Sequence, residues 1–346
     1  MESRIKVLVV DDSAFMRKVI TSMLESDPRL EVVGTARNGE DALKKRKTLA
    51  PDVMTLDVEM PVMDGIETLK RLMSENPLPI IIVSSTTKEG AENALTAMEL
   101  GAVDFITKPS GPISLDLEKV RDLLIEKVAS APNVKLKPTS KKAPVVFRPL
   151  QQPVPFDKTI IVIGTSTGGP KALKQVLTKL PKDLPAPILI VQHMPAGFTE
   201  SLANRLNSLC EIHVKEAEDG EIIRPGVAYI APGGYHLETK RLGTSIALHL
   251  TKEEPRKGHR PSVDVLFESV SALSSIYKVA VIMTGMGSDG TEGLEQLKRG
   301  SCYAIAESEQ SCVVFGMPKV AIERKLVDEV THLELIADSI VRQCKR

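Results

Sequence analysis

No charge of either sign predominates in this sequence: 45 lysines and arginines stand against 45 aspartates and glutamates over 346 residues. Without a basic surplus there is no overall electrostatic pull toward nucleic acid or an anionic membrane surface, and neither is expected as a partner. Long apolar runs are also missing. No stretch approaches the ~18 uninterrupted apolar residues of a spanning helix, and residues 1–6 enter a strand-like run without a signal peptide's apolar core or cleavage site. A cytoplasmic protein with no membrane insertion is the expectation. Cysteine is scarce: Cys210, Cys302, Cys312 and Cys344 are dispersed and form no C-x-x-C pair, which argues against a disulfide framework or a zinc site and for reduced thiols packed as small hydrophobes. What is present is apolar residue enough, 42% of the chain, to build about two cores at this length.

The chain divides by composition. Within residues 4–128, strand-like runs at 5–10, 31–36, 52–56, 80–84 and 104–107 alternate with amphipathic helical stretches, and five such β–α units imply a parallel sheet covered on both faces. Residues 131–157 hold six prolines and five basic residues against the single acid Asp157, a composition that buries no core and reads as a semi-extended linker. Strands and helices then alternate again, with strand-like runs at 159–163, 188–192, 227–231, 279–284 and 302–306. A polar-alternating run at 244–251, punctuated by Gly233-Gly234 and Gly243, suggests an inserted β-hairpin. The expected architecture is α/β: two doubly wound parallel-sheet domains, residues 1–130 and 158–346, joined by the linker 131–157.

Gly164-Thr165-Ser166-Thr167-Gly168-Gly169 is the most informative local feature. It follows the buried-strand signature Thr159-Ile160-Ile161-Val162-Ile163 and leads through Pro170 into a helix start. Ser166 therefore sits on a strand-to-helix turn, where glycines relieve the backbone and helix-terminal amides face a developing negative charge. A serine in such a turn can equally bind phosphate or only make the turn, so it needs a base. The run 187–192 delivers His193 at a neighbouring strand end, within reach of the serine proton. The strand 278–284 ends in Gly285-Met286-Gly287-Ser288-Asp289-Gly290, where the Asp289 carboxylate can orient His193. Backbone amides of Thr167 and Met286 are the candidate oxyanion donors. His213, His236, His249 and His332 read as surface or structural, and His259 as an open loop candidate. The order Ser, His, Asp excludes the α/β-hydrolase arrangement, in which the acid precedes the histidine.

A competing reading uses the same glycines. Gly285, Gly287 and Gly290 spell G-x-G-x-x-G after a strand, and Glu307 follows Gly290 by 17 residues, which imitates a dinucleotide site. Its position far into the second domain, and not in a first βα turn, counts against it. The corresponding alternative function is a phosphorylation-controlled, nucleotide-sensing binding module.

In the first domain Asp11 and Asp12 close strand one, Asp57 closes strand three, Ser84 closes strand four and Lys108 follows strand five. Three carboxylates converging at the carboxyl edge of a sheet repel one another, and a hard divalent cation such as Mg²⁺ would offset that cost. The stretches Val9-Val10-Asp11-Asp12-Ser13, Asp57-Val58-Glu59-Met60-Pro61-Val62-Met63-Asp64-Gly65 and Thr107-Lys108-Pro109 resemble the response-regulator receiver family, which is flavodoxin-like in fold. That resemblance implies Asp57 as phosphoacceptor, Asp11, Asp12 and Asp57 as Mg²⁺ ligands, Ser84 and Lys108 as phosphate-sensing residues, Phe105 at an aromatic switch position, and a histidine kinase as phosphodonor.

Gly164-Thr165-Ser166-Thr167-Gly168-Gly169-Pro170, Gln192-His193-Met194-Pro195, Ala231-Pro232-Gly233-Gly234-Tyr235-His236 and Met283-Thr284-Gly285-Met286-Gly287-Ser288-Asp289-Gly290 together resemble the chemotaxis protein-glutamate methylesterase family. The resemblance implies a Rossmann-like serine-hydrolase domain with Ser166 as nucleophile, His193 as base and Asp289 as its partner. It further implies no cofactor for ester hydrolysis, γ-glutamyl methyl esters of methyl-accepting chemoreceptors as substrate, and deamidation of receptor glutamines by the same acyl-enzyme chemistry. Met194, His259 and Arg260 are expected to be exposed and available to receptor helices. A receiver tethered by a linker suggests control by occlusion, relieved on phosphorylation of Asp57.

Overall fold

Runs of valine, isoleucine and leucine form the central strands, and short polar residues start the helices that cover them. A computed structural model describes residues 4–108, 114–134 and 159–344, in two units, Met1–Ala143 and Pro144–Arg346. The first contains β1 (Ile5–Val10), α1 (Ala14–Glu25), β2 (Leu30–Ala36), α2 (Gly39–Leu49), β3 (Val53–Asp57), α3 (Gly65–Glu75), β4 (Ile80–Ser84), α4 (Lys88–Leu100), β5 (Asp104–Thr107) and α5 (Ser114–Ser130). Its five strands pair in parallel in the order β2-β1-β3-β4-β5. The strands β1, β3 and β4 are buried over almost their whole length, as a sheet sandwiched between helices requires. Side chains of Ser13, Asn38, Asp64 and Thr87 accept amide hydrogen bonds at the starts of α1 to α4, each satisfying a donor that the first helical turn leaves orphaned. Because the strands run parallel, the turns that lead into α1 to α4 all lie at the same edge of the sheet.

The second unit contains β6 (Thr159–Thr165), α6 (Gly169–Leu177), β7 (Ile188–Gln192), α7 (Phe198–Asn207), β8 (His213–Glu216), β9 (Val227–Ile230), β10 (His236–Leu242), β11 (Ser245–Thr251), α8 (Val263–Ser271), β12 (Tyr277–Ile282), α9 (Thr291–Lys298), β13 (Cys302–Glu307), α10 (Met317–Glu323), β14 (Glu329–Thr331) and α11 (Leu333–Cys344). Seven strands pair in parallel in the order β14-β13-β12-β6-β7-β9-β8, and the expected hairpin is the antiparallel pair β10-β11. The α/β class with two doubly wound sheets holds. Two short edge strands, β8 and β14, join the strands expected from the hydrophobic pattern, and β12 ends at Ile282, two residues earlier than expected.

The chain crosses to one side from β6 to β7 and returns to the other side for β12, so β6 stands at a switch point where loops at the carboxyl ends diverge and leave a crevice. The start of α8 enters that crevice. A Cβ on Gly164 would lie 2.4 Å from Val263 Cγ1, and one on Gly290, at φ +91°, would lie 2.6 Å from the same atom. The two missing side chains are the room that Val263 occupies, and Val263, Leu266, Phe267 and Val270 carry α8 into the core.

Ala131–Asn133 form a 3₁₀ turn after α5 with Ala131 buried, and residues 135–157 of the expected linker lie outside the described residues. Among the described residues no helix is long and apolar enough to cross a membrane. Phe267 is fully buried against Gly293 of α9. Its replacement by alanine should lower the stability of the second unit by about 3–5 kcal/mol, measurable as an earlier denaturant midpoint while unfolding of the first unit stays unchanged.

Candidate functional site

Three adjacent strands of the second unit deliver three side chains. β6 leads into Ser166, β7 into His193, and β12 into the glycine loop that holds Asp289. His193 Nε2 lies 2.7 Å from Asp289 Oδ2. Four further donors converge on that carboxylate: the Val263 amide on Oδ2 at 2.7 Å, and on Oδ1 the Ser262 hydroxyl at 2.9 Å and the amides of Asp264 and Gly290 at 3.0 Å. Asp289 thus caps the N-terminus of α8 from outside the helix, where amide donors and helix dipole both favour an anion. Burial alone would raise its pKa, but His193 and the amides of Asp264 and Val263 outweigh that and hold it well below the usual carboxylate range.

With Nε2 on Asp289, the nitrogen left for a substrate proton is Nδ1, which is buried and has no hydrogen-bond partner among the described residues. The expected Ser166–His193 hydrogen bond is therefore not formed in this state. The backbones are nevertheless tied together. Gln192 Nε2 donates to the carbonyls of Ser166 at 2.9 Å and His193 at 3.2 Å, and the His193 amide donates to Thr165. On the other side, the Ser166 amide donates to the Thr284 carbonyl at 3.0 Å, and a Cβ on Gly285 would fall 2.8 Å from Ser166 Cβ. The loops carrying the oxyanion candidates Thr167 and Met286 thus abut at the serine.

Two histidines complete the surroundings. The His259 ring stacks on His193, with centroids 3.9 Å apart and planes inclined by 10°. Its loop is anchored by Arg256 to Glu268 and Glu292, and by Lys257 to Asp264 and Glu292. His236 is buried; its Nδ1 accepts the Ser262 amide at 3.2 Å and its Nε2 faces the Glu254 carbonyl at 3.1 Å, a structural role as expected. Neither the stacking of His259 on His193 nor the bond of His236 to Ser262 has a local signature in the sequence. Met194, expected at the surface, is buried, because the turn after β7 folds its apolar side chain inward. Glu307 is fully buried and spends Oε2 on the Thr284 amide at 2.8 Å, so it is not presented to a ribose and the dinucleotide reading loses its acid.

In the first unit, Asp11, Asp12 and Asp57 bring carboxylate oxygens within 4.8 Å of one another. Lys108 Nζ lies 2.7 Å from Asp57 Oδ2 and 3.2 Å from Asp11 Oδ2, and the Glu59 amide donates to Asp57 Oδ1 at 3.2 Å. Burial pushes the Asp57 carboxyl up to about 6, against the pull of Lys108 and with the help of Asp11. Burial works against the charge on Lys108, yet the two aspartates prevail and its pKa is raised. The Ser84 hydroxyl is not brought to Asp57; it donates to the Gly90 carbonyl at 2.8 Å. Phe105 is buried in β5, with Lys127 Nζ 5.7 Å from its ring centroid.

The chain matches the family model for CheB methylesterase over residues 161–340 and that for the response regulator receiver domain over residues 7–118. It is 58% identical over 342 residues to a protein-glutamate methylesterase/protein-glutamine glutaminase of Geobacillus kaustophilus, covering 98% of each chain. It is 52% identical over 353 residues to the Bacillus subtilis protein of the same description, covering 99% of each. The crystal structure of the Thermotoga maritima CheB methylesterase catalytic domain superposes with a TM-score of 0.52 at 46% identity, covering 53% of this chain and 97% of that one.

Two expectations follow. The folded carboxyl of Asp57 titrates near 6 and the unfolded one near 4, so ionised Asp57 costs stability above pH 6 and that cost vanishes as pH falls below the unfolded value. In metal-free protein, an NMR titration of the Asp57 carboxyl should show a midpoint near 6, and Asp57→Asn should stabilise the receiver at pH 8 but not at pH 4. Removing the ring stacked on His193, by His259→Ala, should lower kcat for ester hydrolysis about tenfold, whereas His259→Phe, which keeps a stacking face, should recover most of that loss.

Proposed function

The chain belongs to the CheB methylesterase family, with a response regulator receiver domain ahead of the methylesterase domain, and from that premise we propose that Ser166, His193 and Asp289 hydrolyse γ-glutamyl methyl esters by way of an acyl-enzyme. The protein is a phosphorylation-regulated protein-glutamate methylesterase acting in chemotactic adaptation, and its relatives are also named protein-glutamine glutaminases. The observation that carries the assignment of roles is the 2.7 Å contact from His193 Nε2 to a buried, multiply bonded Asp289, which leaves Nδ1 as the nitrogen for the serine proton.

Ser166 Oγ attacks the ester carbonyl carbon and its proton passes to His193 Nδ1. Rotation of the serine side chain makes that contact, since catalytic hydrogen bonds are often long without substrate and tighten in the complex. The imidazolium is stabilised by Asp289, which keeps its own negative charge because five donors hold it. Amides of Thr167 and Met286 donate hydrogen bonds to the oxyanion. Collapse breaks the carbon–methoxy bond, and methanol departs with the proton from His193. Water then attacks the acyl-serine and gives its proton to His193; the acyl–Oγ bond breaks, His193 returns that proton to Ser166 Oγ, and glutamate is released. A glutamine substrate follows the same course with ammonia leaving.

Asp57 is the phosphoacceptor in this reading, with methyl-accepting chemoreceptors as substrate and a histidine kinase as phosphodonor. Asp11, Asp12 and Asp57 fit Mg²⁺: three hard oxygen donors lie together, and Asp12 is exposed so that water can complete the shell. Bound there, the cation would neutralise charge on the incoming phosphoryl group. Lys108, paired with Asp57, would also pair with a phosphoryl oxygen, while Ser84 would have to leave Gly90 to do the same.

Ser166→Ala should reduce methanol release from methylated receptor by about 10⁴-fold or more while acetyl phosphate still phosphorylates Asp57. Asp57→Asn should do the reverse, keeping basal hydrolysis and losing its stimulation by the phosphodonor. Hydrolysis retained in Ser166→Ala would defeat the nucleophile assignment.

A further inference from the structure

Glu307 is a fully buried carboxylate that the ester chemistry does not use. It ends β13, the strand paired in parallel with β12, and the last rung of that ladder joins Ile282 to Ala306. One step further the two chains separate, and the Glu307 side chain takes over: Oε2 accepts the Thr284 amide at 2.8 Å, in place of the next rung. Oε1 is buried beside Ser311 and Cys312.

Thr284 is where the nucleophile's turn meets the rest of the sheet. Its carbonyl accepts the Ser166 amide at 3.0 Å and the Thr165 hydroxyl at 3.3 Å. Its own hydroxyl donates to the Thr167 carbonyl at 2.9 Å and accepts the amides of Val313 at 3.1 Å and Val314 at 3.0 Å. Residues 165, 166 and 167 are thus all bonded to one threonine, and the threonine's amide is bonded to Glu307. We propose that Glu307 is a positioning residue of the esterase site: by anchoring Thr284 it sets the backbone of the Ser166–Thr167 turn, and with it the line of attack and the oxyanion amide. Glu307 touches neither substrate nor reacting atoms. The inference rests on Ser166 being the nucleophile, and it gives the acid that follows the G-x-G-x-x-G loop a task inside the protein.

An acceptor for one amide, not a negative charge, is what the role demands. Glutamine supplies that acceptor at the same reach; leucine removes it at similar volume. The test uses the full-length chain, with methanol release from methylated receptor and the rate of Ser166 labelling by a phosphonylating probe. Glu307→Leu should lower kcat by about thirtyfold or more with KM within about threefold, and slow labelling in parallel, because small displacements of a nucleophile are costly. Glu307→Gln should stay within about threefold of the unaltered protein in both readouts, and Thr284→Val, which breaks the tie to Thr167, should lose about tenfold in kcat. A purely structural Glu307 would lower the melting temperature while the folded fraction kept its kcat, and that result overturns the proposal. So does a Glu307→Gln loss equal to that of Glu307→Leu. Should Glu307→Leu fail to fold, Glu307→Met, which also lacks an oxygen acceptor, takes its place, and undiminished turnover there overturns the proposal. Failure of the probe to label Ser166 in the unaltered protein would instead remove the nucleophile reading.

Discussion

The buried carboxylate of Asp289 depends on the N-terminus of α8, and the placement of the His193 ring depends on Asp289. A lone ionised carboxylate out of water is costly unless hydrogen-bonded and paired. Here the Ser262 hydroxyl and the amides of Val263, Asp264 and Gly290 share its charge with His193. Those donors arrive only because Val263 fills the space left by two glycines, Gly164 beneath the serine turn and Gly290 beside the acid. One packing contact therefore sets both the depth of the helix and the electrostatics of the imidazole. His236 and Lys257 extend the support outward, the first holding the Ser262 amide and the second the Asp264 side chain.

Backbone placement at this site is achieved mostly by side chains acting on main-chain groups. Gln192 spans the carbonyls of Ser166 and His193 from one side, and Thr284 grips residues 165 to 167 from the other. Residues 165 and 166 are thus each held from both sides, and residue 167 is held through its carbonyl by the Thr284 hydroxyl. The His259 ring covers the face of His193, so the imidazole is constrained in its plane as well as along the bond to Asp289.

The two units treat buried aspartate in opposite ways. Asp289 is surrounded by donors and held as an anion, suited to partnering an imidazolium without taking its proton. Asp57 has one amide and Lys108 against burial and the neighbouring Asp11, and its carboxyl is driven up to about 6. A carboxyl whose ionisation is disfavoured in the bare protein is one whose anion a neighbouring cation stabilises most. Supply of donors, more than depth of burial, separates a permanent anion from a switchable one.

The sequence by itself determined the alternation of strands and helices, the two α/β units, the serine turn and the strand-end acids. Each of those is written in a few consecutive residues: β-branched apolar runs for strands, glycine at the turns, Ser, Asn, Asp or Thr at the helix caps. The short edge strands β8 and β14 escaped because three or four residues with polar members carry little pattern. Tertiary structure alone decided which imidazole nitrogen meets Asp289, that His259 stacks on His193, that Met194 turns inward, and that Glu307 serves Thr284 in place of a nucleotide. Those contacts join residues from different strands and loops, several of them brought together only by the closing of the parallel sheet, and no local spacing encodes the meeting of side chains that far apart in the chain.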